Sequence, residues 1–232
     1  MEIRAVLFDL DDTLYDEWEY VRQAFENTAA YLADRLGMPD RKEAFYRRML
    51  ELTEEHGRGK VFDILCEELG IGVPVSELVQ AYRSTKPILR LYPDGERLLQ
   101  SLKDRGVKTG LITDGCSQVQ HEKIKALGLE DRLDSVIVTD DFGLCKPQTA
   151  VYEKCLRALD CAPNQAVYVG DNPLKDFIGA KALGMKTVRI IREKGMYMGL
   201  EAEPGGEAEY TVRSLEKCER NEDFLSGPKT PA

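Results

Sequence analysis

The feature that most constrains the fold is a repeated alternation of short apolar runs with longer segments of helical periodicity. Apolar runs of this length are typical of strands buried on both faces, and their alternation with helices is typical of a parallel sheet covered on both sides. We therefore predict an α/β fold with a doubly wound, Rossmann-like parallel sheet. The predicted strands are 5–8, 109–113, 135–138, 166–169, 187–191 and a last short strand at 210–212, and the predicted helices of this part are 94–105, 118–127, 150–159 and 175–183.

One connection does not fit this alternation. About 95 residues separate the end of the first strand region from the second strand, whereas a complete βαβ unit needs only about 30. Four helical patterns fill the interval, at 18–36, 41–55, 60–69 and 76–82. We therefore expect residues 16–88 to form an inserted all-helical cap, residues 1–15 and 89–218 to form the α/β core, and residues 219–232 to be a flexible polar tail.

An acidic segment follows the first strand, where folding gives no reason for it. Asp9, Asp11 and Asp12 lie within four residues of one another, and their carboxylates repel. A divalent metal among them would compensate this repulsion, and the two acids that are two positions apart project to the same side of an extended chain. One could act as a nucleophile while the other transfers protons. The alternative is an ordinary acidic turn, because Asp is a favoured turn residue.

Composition excludes several classes of protein. The formal net charge is -9, with scattered basic residues, which argues against a nucleic-acid partner. No apolar stretch approaches the length of a membrane span, and the amino terminus does not resemble a secretory signal, so we expect no membrane partner and a cytoplasmic protein. The six cysteines form no CxxC pair, which favours reduced thiols over a disulfide framework. A small anionic substrate remains compatible with this charge, provided that local positive charge is supplied.

Polar residues follow the later strands as well, and in open parallel sheets ligands bind at the carboxyl ends of the strands. Each of these residues also has a simpler interpretation, as part of an ordinary turn, as a solvated lysine or as a helix-capping acid. The residues that follow the second, third and fourth strands are Thr113, Asp114 and Gly115, then Lys146 and Pro147, and finally the segment 170–176 with Asp171, Asn172 and Asp176.

The ordered series of these segments resembles the haloacid dehalogenase superfamily. That family has a DxD motif, a Thr or Ser after the second strand, a Lys, and a GDxxxxD motif, and all four occur here in order over nearly the whole chain. A helical insertion lies between the first two motifs, as in part of that family. Each short motif is weak alone, but their order and their position at strand ends together are specific.

The resemblance implies a phosphoryl-transfer mechanism. Asp9 would attack phosphorus to form an aspartyl phosphate, and Asp11 would protonate the leaving oxygen and then deprotonate the hydrolytic water. Mg²⁺ would be held by Asp9, the backbone carbonyl of Asp11 and Asp171. Asn172 and Asp176 would orient these ligands.

The same resemblance implies the substrate contacts. The hydroxyl of Thr113, the backbone N–H groups of Asp114 and Gly115, and the ammonium of Lys146 would bind the phosphoryl group. In the helical insertion, Arg58 lies between two glycines and is a candidate contact to an anionic part of the substrate; the alternative is a solvated basic turn.

We therefore predict a Mg²⁺-dependent phosphomonoesterase that acts on a small phosphorylated metabolite, such as a sugar phosphate or a nucleoside monophosphate, and that is a monomer or a homodimer. Asp11 argues against dehalogenation, because the dehalogenase branch lacks the second acid. Two alternatives stay open, a phosphomutase of the same superfamily and a non-catalytic binding module that retains the fold.

Overall fold

The computed structural model of the protein describes residues 2–220, so that residues 221–232, most of the predicted polar tail, lie outside the described residues. A six-stranded sheet forms its centre, with strand order β3-β2-β1-β4-β5-β6. Every neighbouring pair in it is parallel, which confirms the predicted fold class. The strands are β1 (Ala5–Phe8), β2 (Lys108–Thr113), β3 (Ser135–Val138), β4 (Ala166–Gly170), β5 (Lys186–Ile190) and β6 (Tyr210–Val212).

Helices connect the strands and fill the interval between β1 and β2. Within residues 2–220, no helix has both the length and the apolar character needed to cross a membrane. The α-helices are α1 (Glu17–Arg35), α2 (Lys42–His56), α3 (Val61–Leu69), α4 (Val75–Arg83), α5 (Pro93–Asp104), α6 (Ser117–Ala126), α7 (Thr149–Ala158), α8 (Ile178–Ala182) and α9 (Glu216–Arg220), and short 3₁₀ helices lie at Pro39–Arg41, Arg58–Lys60, Thr139–Phe142 and Pro163–Gln165.

The central strand β1 is buried on both faces, and alternate residues pack in opposite directions. Ala5 and Leu7 belong to a core cluster with α7 and α8, which includes Tyr152 of α7. Val6 faces the other side, where valines of β4 and β5 and leucines of α5 line the same small apolar space. The sheet is thus covered on both faces, which explains why β1 is a continuous apolar run without alternation.

The described part of the chain divides into two compact units, residues 2–17 with 89–220 and residues 18–88. The second unit is helical and has its own core. In it, Phe25 of α1 packs against the rings of Phe62 and Tyr82, with ring centroids 6.1 and 5.7 Å apart. Leu32 and Met49 are fully buried in the same cluster. The amphipathic patterns between β1 and β2 therefore bury their apolar faces within this unit.

The segment after β4 differs from its prediction. The sequence pattern predicts a helix over 175–183, but α8 begins at Ile178 and residues 173–177 form a turn. The backbone N–H of Asn172 donates to Oδ2 of Asp176 at 2.8 Å, and the N–H of Asp176 donates to the carbonyl of Asn172 at 3.1 Å. The Asp176 side chain thus closes the turn, and this contact delays the helix.

Candidate active site

The strand order places the candidate site beside β1. The chain crosses from β1 to β2 and β3 on one side and returns to β4, β5 and β6 on the other, so the direction of strand addition reverses between β1 and β4. Phe8 pairs with Leu111 of β2 and with Val169 of β4. The residues directly after these strands therefore meet at the switch point, where open α/β sheets bind ligands.

A buried cluster of acids around one lysine lies at this point. Oxygens of Asp9, Asp171 and Asp176 all lie within 4.8 Å of one another. The ammonium of Lys146 donates to Oδ1 of Asp9 at 2.5 Å and to Oδ1 of Asp176 at 2.7 Å. The phenol oxygen of Tyr168 lies 3.3 Å from the same ammonium. Two of the three carboxylates thus share the Lys146 ammonium, and the three acids, when all are ionised, carry more negative charge than this one lysine balances.

The charges shift the pKa values of these groups in a consistent way. Burial raises the pKa of Asp171 to about 10, and the carboxylates of Asp9 and Asp176 add to this effect. Burial and the neighbouring acids likewise raise the pKa of Asp9 to about 8, against the opposing effect of Lys146. Burial alone would lower the pKa of Lys146, but Asp176 and Asp9 raise it well above its ordinary value, so the lysine stays charged.

The donor set fits a divalent cation. Oδ2 of Asp171 is buried and has no hydrogen-bond partner among the described residues. A buried carboxylate oxygen without a partner is costly, and carboxylate oxygens are the ligands that Mg²⁺ prefers. Both oxygens of Asp176, in contrast, accept hydrogen bonds, from Lys146 and from the Asn172 backbone. Asp171 is therefore the better placed direct ligand, and Asp176 is placed to orient the loop.

The turn after β4 is tight, and Gly170 makes it possible. A Cβ atom at Gly170 would collide with the carboxylate of Asp176. The side chain of Asn172 accepts a hydrogen bond from the backbone N–H of Leu174 at 3.0 Å, which fixes the loop further. The last position of β4 is therefore restricted to glycine because a carboxylate occupies the space of a side chain.

Asp11 lies in a second, separate group of polar side chains. Its Oδ1 accepts hydrogen bonds from the Tyr15 hydroxyl at 2.5 Å and from the Lys123 ammonium at 2.7 Å, and its Oδ2 accepts one from the Gln120 amide at 2.9 Å. Burial alone would raise the pKa of Asp11, but the charge and hydrogen bonds of Lys123, with those of Tyr15 and Gln120, lower it. Gln120 also donates to the Thr113 hydroxyl at 2.5 Å, so this group reaches the end of β2.

The turn after β2 is fixed by Asp114. Its Oδ1 accepts a hydrogen bond from the Thr139 hydroxyl at 2.8 Å and another from the backbone N–H of Lys146 at 3.1 Å. Gly115 has a φ of 129°, in the region that favours glycine, and a Cβ there would lie 3.2 Å from the side chain of Gln120. The Asp114 side chain thus supports the Lys146 segment, and its backbone stays at the strand end.

Asp12, the third acid after β1, stabilises the surrounding backbone. Asp12 is 2% exposed and has a φ of 53°. Its Oδ1 accepts from the backbone N–H of Glu17 at 3.1 Å, and its Oδ2 accepts from that of Met196 at 2.9 Å. Nearby, the Arg192 guanidinium donates to the backbone carbonyl of Thr13 at 2.7 Å. These contacts hold the loop after β1 in place.

The structure brings the predicted site residues of the α/β core together. Arg58 lies half-buried in the 3₁₀ helix Arg58–Lys60 of the inserted unit, and its contact with the substrate stays a prediction. The residues that lie at the carboxyl ends of β1, β2 and β4, or in the segment after β3, are Asp9, Asp11, Thr113, Asp114, Gly115, Lys146, Asp171, Asn172 and Asp176. Their placement agrees with the prediction, while their individual roles stay predictions.

Sequence reasoning missed several side chains that contact these residues, among them Tyr15, Gln120, Lys123, Thr139 and Tyr168. One of them carried a signal in the sequence. Lys123 lies four residues from both Val119 and Leu127, so it occupies the apolar stripe of α6, and it is 3% exposed. A lysine in the apolar stripe of a helix indicates a buried partner of opposite charge.

Comparisons with known proteins agree with this geometry. A family model described as haloacid dehalogenase-like hydrolase matches residues 6–190. The chain is 36% identical over 219 residues to the glyceraldehyde 3-phosphate phosphatase of Pyrococcus furiosus, with 92% of this chain and 90% of that protein covered. It is also 36% identical over 221 residues to the glyceraldehyde 3-phosphate phosphatase of Methanocaldococcus jannaschii, with 93% and 95% covered.

A solved structure gives the same result. The HAD phosphatase from Thermococcus onnurineus superposes with a TM-score of 0.62 at 30% identity, and the match covers 93% of this chain and 95% of that one. The family model spans most of the core together with the insertion. The chain therefore belongs to the haloacid dehalogenase-like hydrolase family, as a member of its phosphatase branch.

Proposed function

We propose that this phosphatase hydrolyses the monoester of a small phosphorylated metabolite in a Mg²⁺-dependent reaction that passes through an aspartyl phosphate at Asp9. The observation that carries this proposal is the cluster of Asp9, Asp171 and Asp176 around one ammonium. When all three acids are ionised, three carboxylates and one lysine leave two negative charges, which a divalent cation would balance. A glyceraldehyde 3-phosphate phosphatase is among the relatives, and we propose a sugar phosphate of similar size as the substrate.

The cation would be held by Asp9, the backbone carbonyl of Asp11 and Asp171, with Asp176 and Asn172 orienting the loop. When bound, Mg²⁺ supplies charge compensation between the attacking carboxylate and the phosphoryl oxygens. The unpartnered Oδ2 of Asp171 supports this assignment. The high pKa of Asp171, about 10 because of burial and then of neighbouring acids, supports it as well, because a cation at this position would stabilise the ionised carboxylate against both effects.

The first step is an attack by Asp9. Lys146 donates to Oδ1 of Asp9, which fixes the carboxylate and leaves Oδ2 as the oxygen that forms the bond to phosphorus. The bond between phosphorus and the ester oxygen breaks, and Asp11 gives its proton to that oxygen. The Thr113 hydroxyl and the backbone N–H groups of Asp114 and Gly115 would hold the transferring oxygens.

The second step regenerates the enzyme. Asp11, now a carboxylate, takes a proton from a water molecule whose oxygen attacks phosphorus. The bond between phosphorus and Asp9 breaks, inorganic phosphate leaves, and Asp9 is again a carboxylate. The lowered pKa of Asp11 favours the ionised form, which is the base of this step, so the proton that Asp11 gives in the first step has to be taken up as the substrate binds.

We propose in addition that the helical unit, residues 18–88, is a cap that limits access of water and contributes to substrate choice through Arg58. An aspartyl phosphate needs one water molecule in its second step and protection in its first, and a lid provides this control. Arg58→Ala should raise KM for a doubly anionic substrate more than it lowers kcat. Arg83→Ala, which removes an exposed arginine of the same unit, is the matched control.

The experiment that tests the main proposal measures phosphate release. The purified protein is assayed with p-nitrophenyl phosphate and with a panel of sugar phosphates, including glyceraldehyde 3-phosphate, and of nucleoside monophosphates, in Mg²⁺ and in EDTA. Activity should require Mg²⁺ and should be lost in Asp9→Asn, whereas Asp131→Asn, at an exposed acid, should behave like the native protein. Equal, metal-independent rates in all proteins would instead favour a binding module.

Product analysis separates the phosphatase from the phosphomutase alternative. A phosphatase releases inorganic phosphate in an amount equal to the ester consumed. A phosphomutase would accumulate an isomeric phosphate ester with little free phosphate.

A further inference from the structure

Lys123 is a buried lysine whose ammonium faces the second acid of the candidate site. It lies on α6 among Val119, Ile124 and Leu127, which are also buried. Its Nζ lies 2.7 Å from Oδ1 of Asp11 and 3.7 Å from a carboxylate oxygen of Glu17. Burying an ammonium is costly, and packing alone would be served better by an apolar side chain. The position of this charge therefore calls for an explanation beyond stability.

The contacts around Asp11 fix the direction of its carboxylate. Tyr15 and Lys123 both donate to Oδ1, and Gln120 donates to Oδ2 at 2.9 Å. Gln120 is held in turn by its contact with Thr113, 2.5 Å away. A carboxylate with donors at both oxygens cannot rotate freely about its last torsion, so its orientation is set by Tyr15 together with Gln120 and Lys123 of α6.

The carboxylate nevertheless remains accessible. The Asp11 side chain is 21% exposed, whereas the Lys123 side chain is 4% exposed. Lys123 therefore lies behind Asp11, away from solvent, and a substrate would meet the acid and not the lysine. This is the arrangement expected of a residue that acts through another.

We propose that Lys123 is a positioning residue, which aims Asp11 at the oxygen of the leaving group and at the hydrolytic water. The inference rests on the proposed function, in which Asp11 transfers both protons. The site then contains two buried lysines with separate tasks: Lys146 holds the attacking acid, Asp9, and Lys123 holds the proton-transferring acid.

The positioning role of Lys123 can be tested by comparing esters with different leaving groups. In the first step the bond from Asp9 to phosphorus forms, the bond from phosphorus to the ester oxygen breaks, and the proton of Asp11 moves to that oxygen. An alkoxide needs this proton, but p-nitrophenolate is stable without it. In the second step a water proton moves to Asp11 whichever ester was used. Misplacing Asp11 therefore slows the first step only for alkyl esters and the second step for all esters.

The experiment compares Lys123→Met with the native protein, Asp11→Asn and the control Lys125→Met, which removes an exposed lysine of the same helix. In Lys123→Met we expect kcat/KM for glyceraldehyde 3-phosphate, or for the best alkyl ester of the panel, to fall by about 100-fold. The value for p-nitrophenyl phosphate should fall much less. Rapid mixing with p-nitrophenyl phosphate should give a burst of one equivalent of p-nitrophenolate followed by slow turnover.

Further variants separate positioning from folding. Lys123→Met in the Asp11→Asn background should cause little further loss, because both changes disable the same group. Lys123→Arg keeps the charge but moves it, and we expect the same selective loss to a smaller extent. If Lys123→Met does not fold, as judged by circular dichroism, the Arg variant carries the test.

The possible failures are distinguishable. An equal loss for both kinds of ester in Lys123→Met and Lys123→Arg, without a burst, would mean that Lys123 is only structural, and native-like kinetics in both would mean that it is not needed; either result overturns the inference. If the native protein shows no Mg²⁺-dependent hydrolysis, the proposed function itself is wrong. If Asp11→Asn shows the selective loss but the Lys123 variants do not, only the positioning role is wrong.

Discussion

The ammonium of Lys146 lies 2.5 Å from Oδ1 of Asp9, although 137 residues separate the two in the chain. The contact requires the segment after β3 to return to the end of β1, and the Asp114 side chain supports it by accepting a hydrogen bond from the Lys146 backbone at 3.1 Å. This charge contact can therefore form only when the ends of β1, β2 and β3 are correctly assembled.

Stability in the absence of metal should fall as the pH rises. Asp9 and Asp171 have pKa values raised from 3.8 to about 8 and about 10, so between pH 4 and these values the folded protein binds more protons than the unfolded chain. The contribution is complete below the unfolded pKa and is lost as the pH rises, at up to about 1.4 kcal/mol per pH unit for each group. We expect the melting temperature in EDTA to decrease from about pH 5 to about pH 9.

Mg²⁺ and Asp171→Asn should both flatten this dependence, because each removes repulsion among the carboxylates. Melting curves in EDTA and in Mg²⁺ across the pH range test the sign. A melting temperature in EDTA that rises with pH over this interval would contradict the charge distribution described for the site.

Asp171→Asn should weaken the binding of Mg²⁺. An amide has one acceptor oxygen without charge, so we expect the Mg²⁺ concentration for half-maximal activity to rise by about 100-fold or more. Titration of activity with Mg²⁺ measures this value. Asp131→Asn, at an exposed acid, should leave it unchanged; an unchanged value in Asp171→Asn would exclude this residue as a ligand.

Gly170→Ala should damage both stability and activity. The added methyl group would overlap the Asp176 carboxylate, so that the loop must shift, and overpacking of this kind costs about 1–3 kcal/mol. Thermal melting and phosphate release measure the two effects. Gly199→Ala is the matched control, since a Cβ there meets no atom within 4 Å, and it should change neither quantity.

Arg192→Met should destabilise the core unit strongly. The guanidinium donates to Oδ2 of Asp94 and to the carbonyl of Thr13, both at 2.7 Å, and lies 4.0 Å from the centre of the Tyr92 ring. Removing one partner of a buried ion pair costs about 3–5 kcal/mol, because the other charge stays buried. Denaturant unfolding measures the loss.

The exposed pair of Arg47 and Glu43 serves as the comparison for Arg192. Both of its side chains are more than half exposed, and such pairs contribute at most about 1 kcal/mol. Arg47→Met should therefore leave the unfolding midpoint nearly unchanged. A loss in Arg192→Met as small as that in Arg47→Met would show that the Asp94 carboxylate finds other partners.

The strands and the main site residues could be predicted because both depend on local patterns. The runs at 5–8, 135–138 and 210–212 became strands with the predicted bounds, and the others moved by one residue at one or both ends. Buried parallel strands have to be apolar throughout, and polar residues that directly follow them lie at the carboxyl ends of the strands. Asp9, Thr113 and Asp171 are visible in the sequence for this reason.

The remaining parts depend on contacts between distant segments. The early start predicted for the helix at Lys175 was wrong because the Asp176 side chain closes a turn, which periodicity does not record. Gln120 and Lys123 were missed because their partner, Asp11, lies 109 and 112 residues away. Side-chain direction and long-range charge contacts are set by the assembled fold. The residues that hydrogen-bond to Asp11 could therefore not be predicted from the sequence alone.

The Asp12 side chain connects two distant segments of the chain through its two carboxylate oxygens. Both its oxygens are committed to backbone N–H groups, those of Glu17 and Met196, and asparagine would offer only one acceptor oxygen in the same volume. Asn at this position would have to release either the first turn of α1 or the chain beyond β5. A one-atom exchange should thus loosen the loop after β1 without removing any side chain proposed to touch phosphate, so that the mobility of this loop can be varied separately from the reacting groups.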